Sequence, residues 1–330
     1  MFQIGLNPYG LTYTLGLQGL GTSRVNPHGT GLAGFLETAR GIGARCAELD
    51  WRWLTGLDDA MLRSVGEECR ADGMTVILSA WLLQQQNETL DTPVRIASAL
   101  GATLLRLHLT PILEGARARA GAAWTAMAQH ARRTVVSEAP KAQAAGLAIG
   151  LENHQDFGSE ELLSIADAAG DHVGIVLDTG NPFAVGEDPV AFVTRAATRI
   201  RHLHLKDYRA QFTIEGVRLV RCPIGDGCVP LSAIAAVLQA HGLSPTASLE
   251  PAALEARHIR FFTGPWWDGY GPRDAREFGR AITRLRERRL ADDADYRTPW
   301  ERRASPNELL AYEAADLDRS VTNMRSLGWM

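Results

Sequence analysis

Eight short apolar runs recur through the first 250 residues: 2–7, 45–50, 75–80, 104–109, 148–153, 173–178, 201–207 and 247–251. Between them lie stretches whose apolar positions return at helical spacing, among them GLAGFLETARGIG, LDDAMLRSVGEECRADG and SEELLSIADAAG. Helix punctuation agrees. Ser159 precedes Glu160 and Glu161 as an expected N-terminal cap, and Gly73, Gly101, Gly146, Gly170 and Gly242 close helices. Strand followed by helix, repeated eight times, predicts an α/β fold: a parallel sheet closed into a (β/α)8 TIM barrel.

Side chains of a strand alternate between its two faces. In 147–152, Leu147, Ile149 and Leu151 share one face, while Ala148, Gly150 and Glu152 share the other. In 173–178, Gly174, Val176 and Asp178 oppose Val173, Ile175 and Leu177; in 246–250 the alternate set is Thr246, Ser248 and Glu250. The apolar face is expected to meet the helices. The face of small residues ending in a carboxylate then lines the barrel, with each acid at the C-terminal rim, where such barrels carry their chemistry.

The barrel is expected to occupy residues 1–255. Residues 256–330 exceed a closing helix and read as a loop and helical extension packed on the barrel, with helices near 273–290 and 306–326 and a role as a homodimer arm.

Composition excludes several classes. A net charge of -4 lacks the basic face that a nucleic-acid partner requires. The N-terminus has no signal-peptide pattern, and no apolar run approaches the ~20 residues that cross a bilayer, so neither export nor membrane insertion is expected. Four cysteines in 330 residues do not make a disulfide framework, which points to a reducing, cytoplasmic setting. Cys222 and Cys228, bracketing PIGDG, read as ordinary thiols.

The chemistry concentrates in Glu152, Asp178, His204 and Glu250, which end the fifth to eighth apolar runs at intervals of 26, 26 and 46 residues. Strands about 4.8 Å apart bring four such rim side chains to one point. Three carboxylates meeting there repel one another unless a cation neutralises them. One imidazole with hard oxygen donors suits Mn²⁺ or Mg²⁺, with Co²⁺ or Zn²⁺ also accommodated.

At these positions LENH (151–154), LDTGN (177–181), HLHLKD (202–207) and LEP (249–251) resemble motifs of the xylose isomerase-like barrel superfamily, in its sugar isomerase/epimerase branch. The resemblance implies that Glu152, Asp178, His204 and Glu250 are metal ligands. It also implies that Glu152 and Glu250 serve as acid/base groups, moving a proton α to a carbonyl through a metal-bound enediolate. The implied function is a divalent-metal-dependent isomerase or epimerase of a small sugar or sugar acid. Epimerases of the branch carry a second glutamate six residues after the first and a histidine three after the aspartate. Here those positions hold Gly158 and Asn181, so a lyase (dehydratase or decarboxylase) acting on a keto-sugar acid or inosose stays open.

Further candidates each carry two readings. Lys206, on the face of His204, serves catalysis and substrate binding or pairs with a rim acid such as Glu152. His154 and His108 contact substrate or brace loops; Asn181 binds substrate or caps a turn. Trp266, with Trp267 and Tyr270, stacks on a sugar ring or covers an interface, an ambiguity shared by Trp51 and Trp53. Arg257, His258 and Arg260 hold a substrate anion or pair on the surface. His202 reads as structural, and Arg106 as the buried partner of a carboxylate such as Glu48. A metal-dependent endonuclease would need more histidines and a basic face; a non-catalytic scaffold would not need the metal quartet. Specificity is expected in loops 7–29, 81–90, 109–121 and 252–272.

Overall fold

The computed structural model describes residues 2–82, 89–251 and 254–330; parts of two expected specificity loops, 83–88 and 252–253, lie outside the described residues. The barrel strands are β1 (Gln3–Leu6), β2 (Cys46–Asp50), β3 (Thr75–Trp81), β4 (Leu104–His108), β5 (Ala148–Glu152), β6 (Val173–Asp178) and β7 (Ile200–Leu205), with β10 (Thr246–Leu249) closing the ring between β7 and β1. All eight pairings are parallel. A closed (β/α)8 TIM barrel is therefore the observed fold.

The enlarged interval after β7 holds a hairpin, β8 (Tyr208–Phe212) and β9 (Val217–Arg221). Its third strand, β11 (Arg257–Ile259), arrives from beyond β10 and pairs antiparallel with β9. The sequence pattern did not reveal this small sheet, because its strands interleave arginines (Arg209, Arg218, Arg221 and Arg257) with apolar residues and lack the apolar face of the barrel strands.

Helices α1 (Gly31–Ile42), α2 (Asp59–Ala71), α3 (Asp91–Leu100), α4 (Arg117–Ala120), α5 (Ala123–Ala144), α6 (Ser159–Ala169), α7 (Pro189–Ala196) and α8 (Leu231–Ala240) follow the strands, and α9 (Ala275–Glu287) and α10 (Pro306–Ser326) come after the barrel. Local chemistry starts them. Asp58 accepts the Met61 N–H at 2.8 Å and Asp188 the Ala191 N–H at 3.0 Å. The cap of α6 is Gly158, not Ser159: Glu161 reaches back to the Gly158 N–H at 2.7 Å, and Ser159 is the first helical residue. Gly101 ends α3 at φ +67°, a left-handed conformation that a side chain would strain.

The alternation rule holds inside the barrel. Cys46, Ile77, Leu104 and Val176 form a separate apolar plug with Ala148, whereas Ile149, Leu151, Ile175 and Leu177 join the main core against the helices. Gly150 must lack a side chain, since a Cβ there would lie 2.5 Å from Val176 Cγ2. With its lower layer filled by apolar groups, the barrel confines polar side chains to the upper layers. The chain after β10 packs back on the barrel: Trp329 stacks near Phe2 with ring centroids 4.5 Å apart, and Asn323 Nδ2 donates to the carbonyl of Ile224 at 2.9 Å.

Candidate metal centre and cavity

Register places the acids. Asp178 lies opposite His204 across β6–β7, and Ser248 opposite His204 across β10–β7, so Glu250 stands one step above His204 at the rim. Ligand-type atoms of Glu152, Asp178, His204 and Glu250 all fall within 4.8 Å of one another, and all four residues are buried. His204 is central: its Nδ1 lies 2.7 Å from Glu250 Oε2 and 3.2 Å from Glu152 Oε1, and its Nε2 lies 2.9 Å from Glu48 Oε2. Burial opposes charging the imidazole, but Glu48 and Glu250 outweigh it and raise His204 to about 9.

Two fixed cations border the quartet. Lys206 Nζ is 2.6 Å from both Asp178 Oδ2 and Glu250 Oε1. Burial disfavours the ammonium, yet the two carboxylates hold its pKa far above the usual lysine value. Glu250 is likewise penalised by burial and still drawn down to about 2 by Lys206 and His204. Arg106 bonds Glu152 and also Ser79 Oγ at 2.9 Å.

Asp178 is braced through its backbone neighbours. Its Oδ1 accepts the N–H groups of Gly180 and Asn181, each at 2.9 Å, and Asn153 bonds both its N–H and its C=O. The consecutive LENH and LDTGN segments thereby lock together. Asp178 Oδ2 and Glu250 Oε2 are buried, and each meets only a charged neighbour, Lys206 Nζ at 2.6 Å and His204 Nδ1 at 2.7 Å among the described residues.

Above the quartet opens a cavity of about 210 Å³. His108, His154, Lys206 and Glu250 line it, together with Tyr9, Thr12, Trp81, Tyr208, Glu255 and Arg257. The His108 and His154 rings lie 3.9 Å apart, and each keeps one buried nitrogen, His108 Nε2 and His154 Nδ1, with no hydrogen bond. Burial and Arg106 push His108 down to about 3; burial and His108 also depress His154, so both imidazoles are neutral. Neutral imidazoles beside charged acids offer hydroxyl-binding donors and acceptors.

The structure corrects several expectations. Arg106 pairs with Glu152, while Glu48 turns to the histidines; Lys206 pairs with Asp178 and Glu250, not Glu152. Trp266 is absent from the cavity lining. It stacks on Tyr270 and donates its indole N–H to the Glu114 carbonyl at 3.0 Å, within an aromatic cluster that includes Phe261. Asn181 lies outside the cavity too, its side chain facing Gln155 at 3.4 Å. His202 is structural, bonded to Thr246 and Ser248. Arg260 pairs with Glu215 and Glu114, but Arg257 reaches the cavity. Cys222 and Cys228 are buried free thiols.

Sequence reasoning passed over Tyr9, Trp81, Tyr208 and the role of Glu48. Counting alternate positions would have found Glu48 and Trp81, which share inward faces with Cys46 and Ile77. Tyr9 sits beyond the end of β1, where alternation no longer applies, and Tyr208 opens β8, the hairpin strand that the sequence pattern did not reveal.

An α/β barrel with an acid–imidazole cluster at its C-terminal rim defines the class of molecule. The chain belongs to the xylose isomerase-like TIM barrel family, whose model matches residues 36–263. A stretch of 66 residues is 38% identical to the rhizopine catabolism protein MocC of Rhizobium meliloti, covering 18% of this chain and 20% of that protein. Another, of 90 residues, is 33% identical to an inosose dehydratase of Clostridium beijerinckii, covering 24% of this chain and 30% of that protein. The chain thus matches less than a third of the length of either curated relative.

Solved structures share the fold. The IOLI protein with a bound zinc atom superposes with a TM-score of 0.53 at 16% identity, covering 86% of this chain and 95% of that one. The probable 3-DHS dehydratase AsbF of Bacillus anthracis gives 0.53 at 15% identity over 76% and 92%. The 3-keto-D-glucoside 4-epimerase YcjR of E. coli gives 0.52 at 12% identity over 87% and 100%. No helix among the described residues is long and apolar enough to cross a membrane.

Proposed function

We propose that this protein is a divalent-metal-dependent enzyme that moves a proton α to a carbonyl of a small polyhydroxylated substrate, as an isomerase or epimerase of a sugar or sugar acid. The observation carrying this is the convergence of Glu152, Asp178, His204 and Glu250 beneath a cavity of about 210 Å³. The donor set fits a hard divalent ion. Four buried carboxylates, Glu48 included, face only two permanent cations, Arg106 and Lys206, leaving a deficit that two positive charges match. Mn²⁺ or Mg²⁺ suits the three oxygen donors and one nitrogen best, with Co²⁺ or Zn²⁺ accommodated. When bound, such an ion polarises a carbonyl and favours loss of the adjacent proton.

The protein's own groups do the rest. Glu250, at the cavity wall, is ionised and placed to take a proton, and Glu152 meets the same nitrogen of His204, Nδ1. Lys206 stands between Asp178 and Glu250, where its ammonium holds a developing oxyanion or returns a proton. His108 and His154 offer their unbonded nitrogens to substrate hydroxyls.

A second reading, a lyase removing water from the same deprotonated substrate, is favoured by Gly158. It supplies no carboxylate where the epimerases of the branch carry their second glutamate, and a Cβ there would lie 2.7 Å from Glu187 Oε1 and 3.0 Å from the Arg273 guanidinium, whose side chains occupy that space. Asn181 likewise stands where those enzymes carry histidine. The matched stretch of an inosose dehydratase points the same way.

Elemental analysis should find one divalent ion per chain. Incubation of the Mn²⁺-loaded protein with ketoses, keto acids and an inosose in deuterated water should place solvent deuterium at the α carbon. An unchanged product mass apart from exchange marks an isomerase, and loss of 18 or 44 mass units marks a dehydratase or decarboxylase. Absence of both metal and exchange would overturn the assignment.

A further inference from the structure

The C-terminal segment lies beyond the barrel and beyond residues 36–263, yet its buried Thr298 and Glu313 bond the two loops that wall the cavity. We infer that residues 298–316 are a positioning clasp that holds the substrate loops in place, with Glu313 as its principal positioning residue. This rests on the cavity being the substrate site proposed above.

One side of the clasp grips the loop after β1, which carries Tyr9 and Thr12 into the cavity. Glu313, in the middle of α10 and fully buried, accepts the N–H of Tyr13 at 2.9 Å and the N–H and hydroxyl of Thr14 at 2.8 and 2.7 Å. One turn later Asp316 takes Arg221 Nε at 2.5 Å, and the same guanidinium donates to the carbonyl of Gly10 at 3.0 Å. Gly10 in turn presses on the residue after Glu250: a Cβ there would lie 2.4 Å from Pro251 Cδ.

The other side grips the chain after β10, which carries Glu255 and Arg257. Thr298 donates its hydroxyl to the carbonyl of Leu254, and Trp300 donates its indole N–H to Glu255 Oε1 at 3.2 Å. Tyr13, Leu254, Trp300 and Leu309 then pack as an apolar cluster separate from the main core, joining both loops to the C-terminal segment. Among the described residues, 8–14 and 254–256 lie outside the strand ladders, and the second stretch leads into β11. A buried carboxylate satisfying three donors supplies what a strand ladder otherwise would.

Glu152, Asp178 and His204 rest on barrel strands, and Glu250 directly follows β10, so the clasp touches the quartet only at its edge, through Gly10 and Pro251. Loosening the clasp should therefore impair substrate binding and leave metal binding intact. In the full-length protein, Glu313→Ala should speed amide hydrogen exchange in 8–18 by about tenfold or more. Mn²⁺ affinity, titrated with the metal alone, should stay at the wild-type value. With an inosose or D-fructose, whichever the wild type turns over, KM should rise by about tenfold while kcat changes less than about threefold. Glu313→Gln, which keeps one carbonyl acceptor, should recover part of the loss. Trp300→Phe removes the indole N–H while keeping an aromatic ring in the cluster, and should speed exchange most in 254–257, so it tests the clasp even where Glu313→Ala fails to fold.

Unchanged exchange in both loops, or a fall in kcat at constant KM, would overturn the inference. A wild type that turns over no probe would count against the proposed reaction alone, since exchange and metal titration still decide the clasp.

Discussion

Glu48 meets His204 inside the barrel, carboxylate oxygen to Nε2 at 2.9 Å, while the other ring nitrogen faces Glu152 and Glu250. With an ion bound, a proton kept on Nε2 by Glu48 would leave Nδ1 free to face that ion. The same Glu48 oxygen lies 3.7 Å from His202 Nε2, while Oε1 is buried and unbonded. Removing it as Glu48→Ala should lower Mn²⁺ affinity by roughly 10- to 100-fold without removing any quartet member. Calorimetric titration would show this, and an unchanged affinity would contradict the orienting role.

The Arg106–Glu152 pair is almost fully inaccessible to solvent. Glu152→Gln should leave the guanidinium without a counter-charge and destabilise the fold by about 3 kcal/mol. Urea unfolding in the presence of a chelator, which separates this from metal loss, is the measurement. A loss below about 1 kcal/mol would mean that Ser79 and water compensate the arginine.

Loading the site should stabilise the protein by mass action. Mn²⁺ at one hundred times its dissociation constant should add about 2.7 kcal/mol to unfolding, reversibly with chelator. Asp178→Asn should abolish the gain, because it withdraws a charged donor while keeping much of its shape. A variant that still gained the full stabilisation would place the ion elsewhere.

Asp156, buried with its carboxylate on the Thr110 hydroxyl and the Phe157 N–H, is raised by burial from 3.8 to about 6. A raised folded-state value means that its contribution to stability is complete below pH 3.8 and is lost as pH climbs through 6. Asp156→Asn cannot ionise, so its stability relative to wild type should improve between pH 4 and 7, by up to roughly 3 kcal/mol. Thermal unfolding across that range tests it, and a pH-independent difference would show that the carboxylate is solvated when charged.

Much of the candidate site was legible in the chain because strand alternation and the rim position are local properties. Glu152, Asp178, His204 and Glu250 each follow a run whose parity points them inward, and the register between β6, β7 and β10 brings them level. Lys206 and His154, two residues beyond His204 and Glu152, were readable by the same rule. Trp266 was misplaced because an aromatic residue in a Gly/Pro-rich loop has no parity to follow. Its ring went to Tyr270, Trp267 and Phe261, where it buries apolar area that the cavity could not cover.

The sequence by itself determined the barrel, its strand count and the inward face of every acid, since periodicities of 2 and 3.6 are written residue by residue. Only the tertiary structure decided who pairs with whom: Arg106 with Glu152, Glu48 with His204, and Glu313 with a loop 300 residues away. Partner choice in a closed barrel depends on strand stagger and side-chain reach across its interior. Those distances arise only when the ring closes, and no local pattern encodes them.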